Sequence, residues 1–283
     1  MLVHFNGVNK EVGSFALKNI SFELPKGYIL GIIGENGAGK TSLINILLGL
    51  YKPDCGDVLI AEMDYERQDK KIRNEIGFVL VDDLFDLQLS LIQNGDLYGK
   101  YYEKYERNLF LHYCKEFELD SSKKLKRLSK GEKLKFQFAF ALSHHPKLLV
   151  LDEPTANFDP DFQKKFRELI TKFVSDGEHG VILATHLTTD LDQIADYVMF
   201  MNKGNVLFYL DKETMNEKYR IVCGEDYKVN LLKKDKIVFK EKGQYVSKAL
   251  VRHHKWNEYS ELDVRIPTIE EIMYYIVKGG YHV

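Results

Sequence analysis

The sequence predicts an α/β fold: a mainly parallel sheet with helices on its faces, followed by a smaller α+β appendage. Two observations carry this expectation. Strand-like and helix-like segments alternate over residues 147–201. Earlier, the apolar run at residues 28–33 passes through a glycine-rich turn into a helical pattern at residues 43–48. Such alternation implies helical crossovers between parallel strands, with ligands at the strands' C-terminal ends.

The elements follow in order. Residues 2–8 and 19–24 alternate apolar and polar side chains and end at Pro25-Lys26-Gly27, the pattern of antiparallel strands. Residues 28–33 are apolar enough for a buried strand. Beyond the helix at 43–48, Tyr51-Lys52-Pro53-Asp54-Cys55-Gly56 is a turn and residues 57–61 a short strand. A further buried strand is expected over residues 76–81, broken at Asp82-Asp83. Residues 84–145 are mainly helical in pattern, a helical insert between two core strands. Strands then fall at 147–151, 181–185 and 197–201, with helices at 160–175 and 189–195. The turn Asn202-Lys203-Gly204-Asn205 makes residues 197–209 a hairpin. A first domain of residues 1–210 and an accessory one of residues 211–283 are expected. In the second, residues 236–251 alternate around Glu241-Lys242-Gly243. Thr268-Ile269-Glu270-Glu271 is a capping box opening a final helix that Gly279 can end.

Bulk properties narrow the function. Forty Lys and Arg nearly balance 42 Asp and Glu, so no basic field points to nucleic acid. Cys55, Cys114 and Cys223 are far apart and in no metal spacing, which fits a reducing cytosol. The first ten residues lack the pattern of a secretion signal. No stretch approaches the ~18 to 20 uninterrupted apolar residues of a membrane-spanning helix. A role at a membrane would need another chain to do the spanning.

The chemistry is concentrated in short motifs. Gly34-Glu35-Asn36-Gly37-Ala38-Gly39-Lys40-Thr41, followed by Ser42, fits GxxxxGK[ST] between a strand and a helix. Glycines there let backbone N–H groups turn toward phosphate oxygens, and the helix N-terminus adds positive potential. Lys40 would reach the β- and γ-phosphates, and the Thr41 hydroxyl would sit on Mg²⁺. A nucleoside triphosphate is the expected ligand. Leu148-Leu149-Val150-Leu151 ends in Asp152-Glu153, a Walker B arrangement. Asp152 would hold Mg²⁺ through its water shell, and Glu153 would polarise the attacking water. His186, at the end of the apolar run 181–184, is placed to contact the γ-phosphate and to orient that water.

The order and spacing of these segments resemble the ATP-binding subunit of an ABC transporter over residues 1–210. Leu128-Ser129-Lys130-Gly131-Glu132 resembles the family's signature, with Ser129 lying 23 residues ahead of Asp152. Pro267-Thr268-Ile269-Glu270-Glu271-Ile272 is similar to the closing segment of bacterial exporter subunits. The resemblance implies a RecA-like parallel core, an antiparallel β subdomain and a helical subdomain. It implies ATP and Mg²⁺ as cofactors, and a homodimer, or a heterodimer with a related subunit, burying two ATP molecules. Ser129 and Gly131 would then bind the γ-phosphate held by the other subunit, and Ala156-Asn157-Phe158-Asp159 would be the D-loop at the interface. The partner would be a separate transmembrane permease, with this chain at the cytoplasmic face of the plasma membrane. Export is the implied direction, with peptides or amphipathic antimicrobials as first candidates.

Three positions depart from the family pattern. Val81 stands where a glutamine is common, so Asp82, or Asp83 as its alternate, is assigned to metal or water. Lys130 and Glu132 replace a glycine and a glutamine; Lys130 either adds charge toward the phosphates or is simply exposed. With the acidic loop, Lys130 resembles one branch of exporters that partner a separate membrane protein. Val12 stands where an aromatic usually stacks on adenine, leaving Phe15 as a substitute or as a core residue. Two other functions stay open: a soluble ABC-type ATPase acting on ribosomes or DNA, and a weak nucleotide-binding regulator. A single cassette without sustained heptads speaks against the first. Intact Lys40, Asp152, Glu153 and His186 speak against the second.

Overall fold

The computed structural model describes residues 1–252 and 262–280. Strands β1 (Val3–Val12) and β2 (Phe15–Leu24) form an antiparallel hairpin. The fully buried β3 (Ile29–Ile33) feeds α1 (Lys40–Leu47), and β4 (Cys55–Ile60) returns to β1, giving a sheet of order β2-β1-β4. Helix α2 (Tyr65–Glu75) leads into β5 (Ile76–Val79). The helical insert is α3 (Leu91–Tyr98), α4 (Arg107–Glu116) and α5 (Lys130–Leu142). The core then continues through β6 (Leu148–Asp152), α6 (Pro160–Val174), β7 (Gly180–Thr185) and α7 (Thr188–Ile194) to the hairpin β8 (Tyr197–Asn202) and β9 (Asn205–Asp211). Six strands lie in the order β5-β6-β7-β3-β8-β9, all parallel except β9.

Local chemistry accounts for these elements. In α6, Asp159 caps the first turn, Pro160 supplies a preset φ, and Phe162, Phe166, Ile170 and Val174 form one buried stripe. Helix α5 is buried along most of its length and packs on β5, which is why its apolar residues do not thin to one stripe. Helix α2 was not expected from the sequence. It buries only Ile72 and Asn74, so no apolar period marks it, and the Asp64 cap on the Arg67 amide is its clearest local signal. The strand expected over residues 76–81 stops at Val79, and Val81 is 55% exposed. There the backbone leaves the sheet to meet a side chain of α5.

After β9 come α8 (Lys212–Lys218), β10 (Tyr219–Gly224), α9 (Asp226–Asn230), β11 (Ile237–Glu241), β12 (Ser247–Arg252), β13 (Asp263–Arg265) and α10 (Ile269–Gly279). The expected hairpin and capping box are both present, the box formed by Thr268 and Glu271. The helix terminator differs from expectation: Gly279 stays helical, and Gly280 takes the left-handed cap at φ 65°. The antiparallel sheet has the order β11-β12-β10-β13. Its Tyr219, Ile221 and Leu250, with Ile269, Ile272 and Ile276 of α10, join the same apolar cluster as Leu191 and Ala195.

Candidate functional site

The loop between β3 and α1 needs backbone angles that only glycine adopts freely. Gly37 lies at φ 80° and Gly39 at φ 111°. A Cβ on Gly39 would also come within 2.8 Å of Phe15 Cζ and Leu17 Cδ2. Phe15 is therefore pressed against the loop from β2. The Lys40 side chain is buried and folds back, its Nζ donating to Gly34 O at 2.6 Å and Glu35 O at 3.4 Å. Its charge thus sits inside the ring of the loop, 3.9 Å from Glu153 Oε1. Val12, Phe15, residues 35–42, Asp82, Asp152 and Glu153 line one cavity of about 540 Å³.

Asp152 ends β6 largely buried, and its Oδ2 accepts the Thr41 hydroxyl at 3.2 Å. Burial raises its carboxyl pKa above the ordinary value. The Thr41 bond and Lys40 oppose that rise, while Glu153 and Asp82 add to it. Glu153 follows at φ 47°, in the left-handed region, with its N–H on Ala184 O at 2.8 Å. That bend is strained for a residue with a Cβ, and it turns the carboxylate toward β7. There Glu153 Oε2 accepts the Thr185 hydroxyl at 3.2 Å and the His186 N–H at 3.3 Å, and lies 2.7 Å from His186 Nδ1. A carboxylate only accepts, so the ring proton belongs on Nδ1, and a neutral His186 keeps Nε2 as an acceptor.

Ser129, Gly131 and Asp159 form a second group and do not line that cavity. Ser129 caps α5: its Oγ accepts the Glu132 N–H at 3.2 Å, and Glu132 Oε2 accepts the Ser129 N–H at 2.8 Å. A Cβ on Gly131 would lie 2.4 Å from Asn157 O, so the backbone at Asn157 rests on this glycine. Lys135 Nζ meets Asp159 Oδ2 at 3.0 Å, while Asp159 Oδ1 caps α6 through the Phe162 N–H at 2.9 Å. The structure separates the two acids after β5. Asp82 lines the cavity, whereas both oxygens of Asp83 are taken by Lys133 Nζ at 2.7 and 3.0 Å.

Two residues not singled out from the sequence hold this arrangement. Gln137, buried on α5, accepts the Leu80 N–H at 2.8 Å and donates to Leu80 O at 2.9 Å and Asp82 O at 3.3 Å. It fixes where the chain leaves β5, and its signal was a lone amide in the apolar run 134–142. Gly204, at the β8–β9 turn, donates to Ala38 O at 2.9 Å, and a Cβ there would lie 1.8 Å from Ala16 O. The hairpin tip thereby braces the loop against β2.

A family model described as ABC transporter matches residues 17–156. The chain is 32% identical over 208 residues to YdbJ of Bacillus subtilis, an uncharacterized ABC transporter ATP-binding protein, covering 72% of this chain and 68% of that one. It is 28% identical over 207 residues to the bacitracin transport ATP-binding protein BcrA of Bacillus licheniformis, again covering 72% and 68%. Among solved structures, the dimeric ATP-binding cassette MJ0796, in a post-hydrolysis state bound to ADP and Pi, superposes with a TM-score of 0.66 at 25% identity. The match covers 74% of this chain and 98% of that one.

Proposed function

The chain belongs to the ATP-binding proteins of ABC transporters and is an ATPase of that family, and from that premise we propose that it closes as a dimer around two ATP molecules and powers export through a separate transmembrane permease. The observation that carries this reading is the pairing of Thr41 with Asp152 and of Glu153 with both Lys40 and His186, the first four of these lining one cavity and His186 reaching it through Glu153.

The geometry supports a role for each residue. The amides of residues 34–42 and the Lys40 ammonium would hold the β- and γ-phosphates. Thr41 Oγ1 and Asp152 Oδ2, 3.2 Å apart, are hard oxygen donors suited to Mg²⁺. Among the described residues no three His, Cys, Asp or Glu side chains form a metal cage. Mg²⁺ fits such a sparse set, because it keeps water and phosphate oxygens as its other ligands. When bound, it would neutralise charge on the transferred phosphate, and it would also offset the burial penalty on Asp152. Glu153, tied by three donors, would orient and polarise the attacking water, while His186, held through Nδ1, would offer Nε2 to the γ-phosphate. Asp82 would add a carboxylate at the metal or its water. Phe15 offers the adenine a π face.

Ser129 and Gly131 would meet the ATP of a second subunit, identical or related, with Asp159 at the contact. Their separation from the first cavity and the dimeric assembly of MJ0796 support this arrangement. The permease would dock in an apolar groove of about 520 Å³ between α2, β5 and the helical insert, lined by Leu50, Phe78, Leu84, Phe85 and Tyr101. Among the described residues no helix is long and apolar enough to cross a membrane. The chain would work from the cytoplasmic face against that partner. A peptide antimicrobial is the first substrate to test, given the bacitracin transport protein among its relatives.

Glu153→Gln keeps the shape and removes the base. Hydrolysis is expected to slow by roughly 10² to 10⁴-fold while ATP still binds. With ATP and Mg²⁺ the variant is expected to run as a dimer on size exclusion. A monomer carrying ATP under those conditions would overturn the two-subunit reading.

A further inference from the structure

We infer that the unit after β9 is a positioning device for His186, acting through α7. This rests on the reading that Glu153 and His186 carry hydrolysis. His186 needs a fixed place: its Nδ1 lies 2.7 Å from Glu153 Oε2, and small displacements at such a contact are costly to rate. The helix that follows it cannot supply that place alone. Helix α7 spans only seven residues, and Leu187 at its start provides no side-chain cap. Isolated helices of that length are not stable in water, so its position comes from its neighbours.

Three clamps hold α7. Leu191 packs on β3 so closely that a Cβ on Gly31 would come 2.7 Å from Leu191 Cδ1. Asp190, buried, takes Arg167 Nη1 of α6 at 2.9 Å. The third clamp belongs wholly to the later unit. Asp192 Oδ1 accepts the Ile269 N–H at the start of α10 at 3.3 Å, and Asp192 O accepts Lys212 Nζ from the start of α8. The Lys212 N–H donates to Asp196 O at 2.7 Å, just beyond the end of α7. Behind these bonds, Leu191 and Ala195 share an apolar cluster with Ile269, Ile272 and Ile276. The first two clamps are internal to the cassette. The third makes the placement of His186 depend on how α8 and α10 sit. The phosphate loop lies on β3, α1 and β2, so loosening the third clamp should disturb the chemical step and spare ATP binding.

The test uses the full chain with Asp192→Ala, measured for steady-state turnover and for equilibrium ATP affinity. The expected result is a kcat about five- to tenfold lower with ATP affinity unchanged, a coupling of the size mutations along such contacts produce. Asp192→Asn keeps an oxygen acceptor for the Ile269 N–H and should restore most of the loss. Should Asp192→Ala fail to fold, Ile272→Val trims the α10 face by one methyl. It is then expected to lower kcat about twofold at unchanged ATP affinity. Wild-type kcat in the folded variants, or a loss that Asn does not restore, overturns the inference. So does a fall of ATP affinity in step with kcat. His186→Ala separates the underlying reading: wild-type turnover there would remove the premise and this inference together. An inactive His186→Ala beside a fully active Asp192→Ala would remove this inference alone.

Discussion

Acidification should destabilise this protein through one buried ring. His144 follows α5, is 1% exposed and stacks on Tyr102 with ring centroids 4.0 Å apart. Its Nε2 lies 3.1 Å from Ile76 O on β5, and its Nδ1 lies 3.3 Å from Phe140 O. Two facing carbonyls favour the doubly protonated ring, since a neutral imidazole can donate to only one of them. Burial opposes this more strongly and pulls the pKa down to about 4. In the unfolded chain the ring titrates near its ordinary value of about 6.5. The folded state therefore favours the neutral ring, and this group's stabilisation is complete above about pH 6.5. As pH falls the unfolded chain binds the proton first, so stability drops until the folded ring also titrates near pH about 4. The full difference is roughly 3 kcal/mol, of which about 2 kcal/mol is lost by pH about 5. Urea unfolding of wild type and His144→Gln at pH about 7.5 and about 5 measures it. Glutamine can still donate to one carbonyl and takes up no proton. The wild type should lose about 2 kcal/mol more than the variant over that interval. Parallel losses in the two proteins would refute the assignment to His144.

Other outcomes follow from the site. Asp82→Ala should lower turnover with ATP still bound, whereas Asp83→Ala, which only frees Lys133, should do less; equal rates would leave the loop after β5 without a chemical part. Gly131→Ala places a methyl only 2.4 Å from Asn157 O, so ATP-dependent dimerisation of a Glu153→Gln background should weaken by roughly tenfold or more. Retained dimerisation in that variant, read by size exclusion, would show that the 156–159 backbone yields easily. Asp152→Asn should raise the melting temperature without nucleotide while abolishing turnover, because burial penalises the native carboxylate; a lowered melting temperature would count against that cost.

The sequence was most legible where a residue's role is set by its immediate neighbours. The Thr268 box and the glycines before Lys40 act within a turn or two of themselves, and each is found where its local pattern puts it. The early strands, the helical insert and the alternation after it were readable for the same reason. Legibility failed where a distant surface decides. Helix α2 is polar enough to leave no period, and what it buries is set by β4 and β5. Gln137 reads as a flaw in an apolar helix until its amide is seen bridging Leu80 and Asp82. Gly204 reads as an ordinary turn glycine, yet it carries the contact between the hairpin and Ala38. The end of β5 was misplaced because apolar Val81 continues the pattern while the backbone has already turned away.

Strand register explains why motifs so far apart in sequence meet. In the parallel sheet β6, β7 and β3 are neighbours, with Asp152 opposite Ala184 and Ile33 opposite Thr185. Three strands thus end at nearly one level. The residues that follow them, Glu153, His186 and Gly34, leave the sheet side by side. Each directly follows the last residue of its strand, too short a distance for the backbone to carry it elsewhere. The edge strand β5 is different: Val79 stands opposite Leu151, and no later residue of β5 pairs with β6. Residues 80–82 must cross that gap without the ladder to guide them, so their path needs an outside anchor. Gln137 supplies it from the same helix that Ser129 caps. A shift of α5 would then move the loop bearing Asp82 and the segment bearing Gly131 together. The two halves of the proposed site are joined through that one helix, and Gln137→Leu, which keeps the apolar volume and removes the bridge, is the substitution expected to uncouple them.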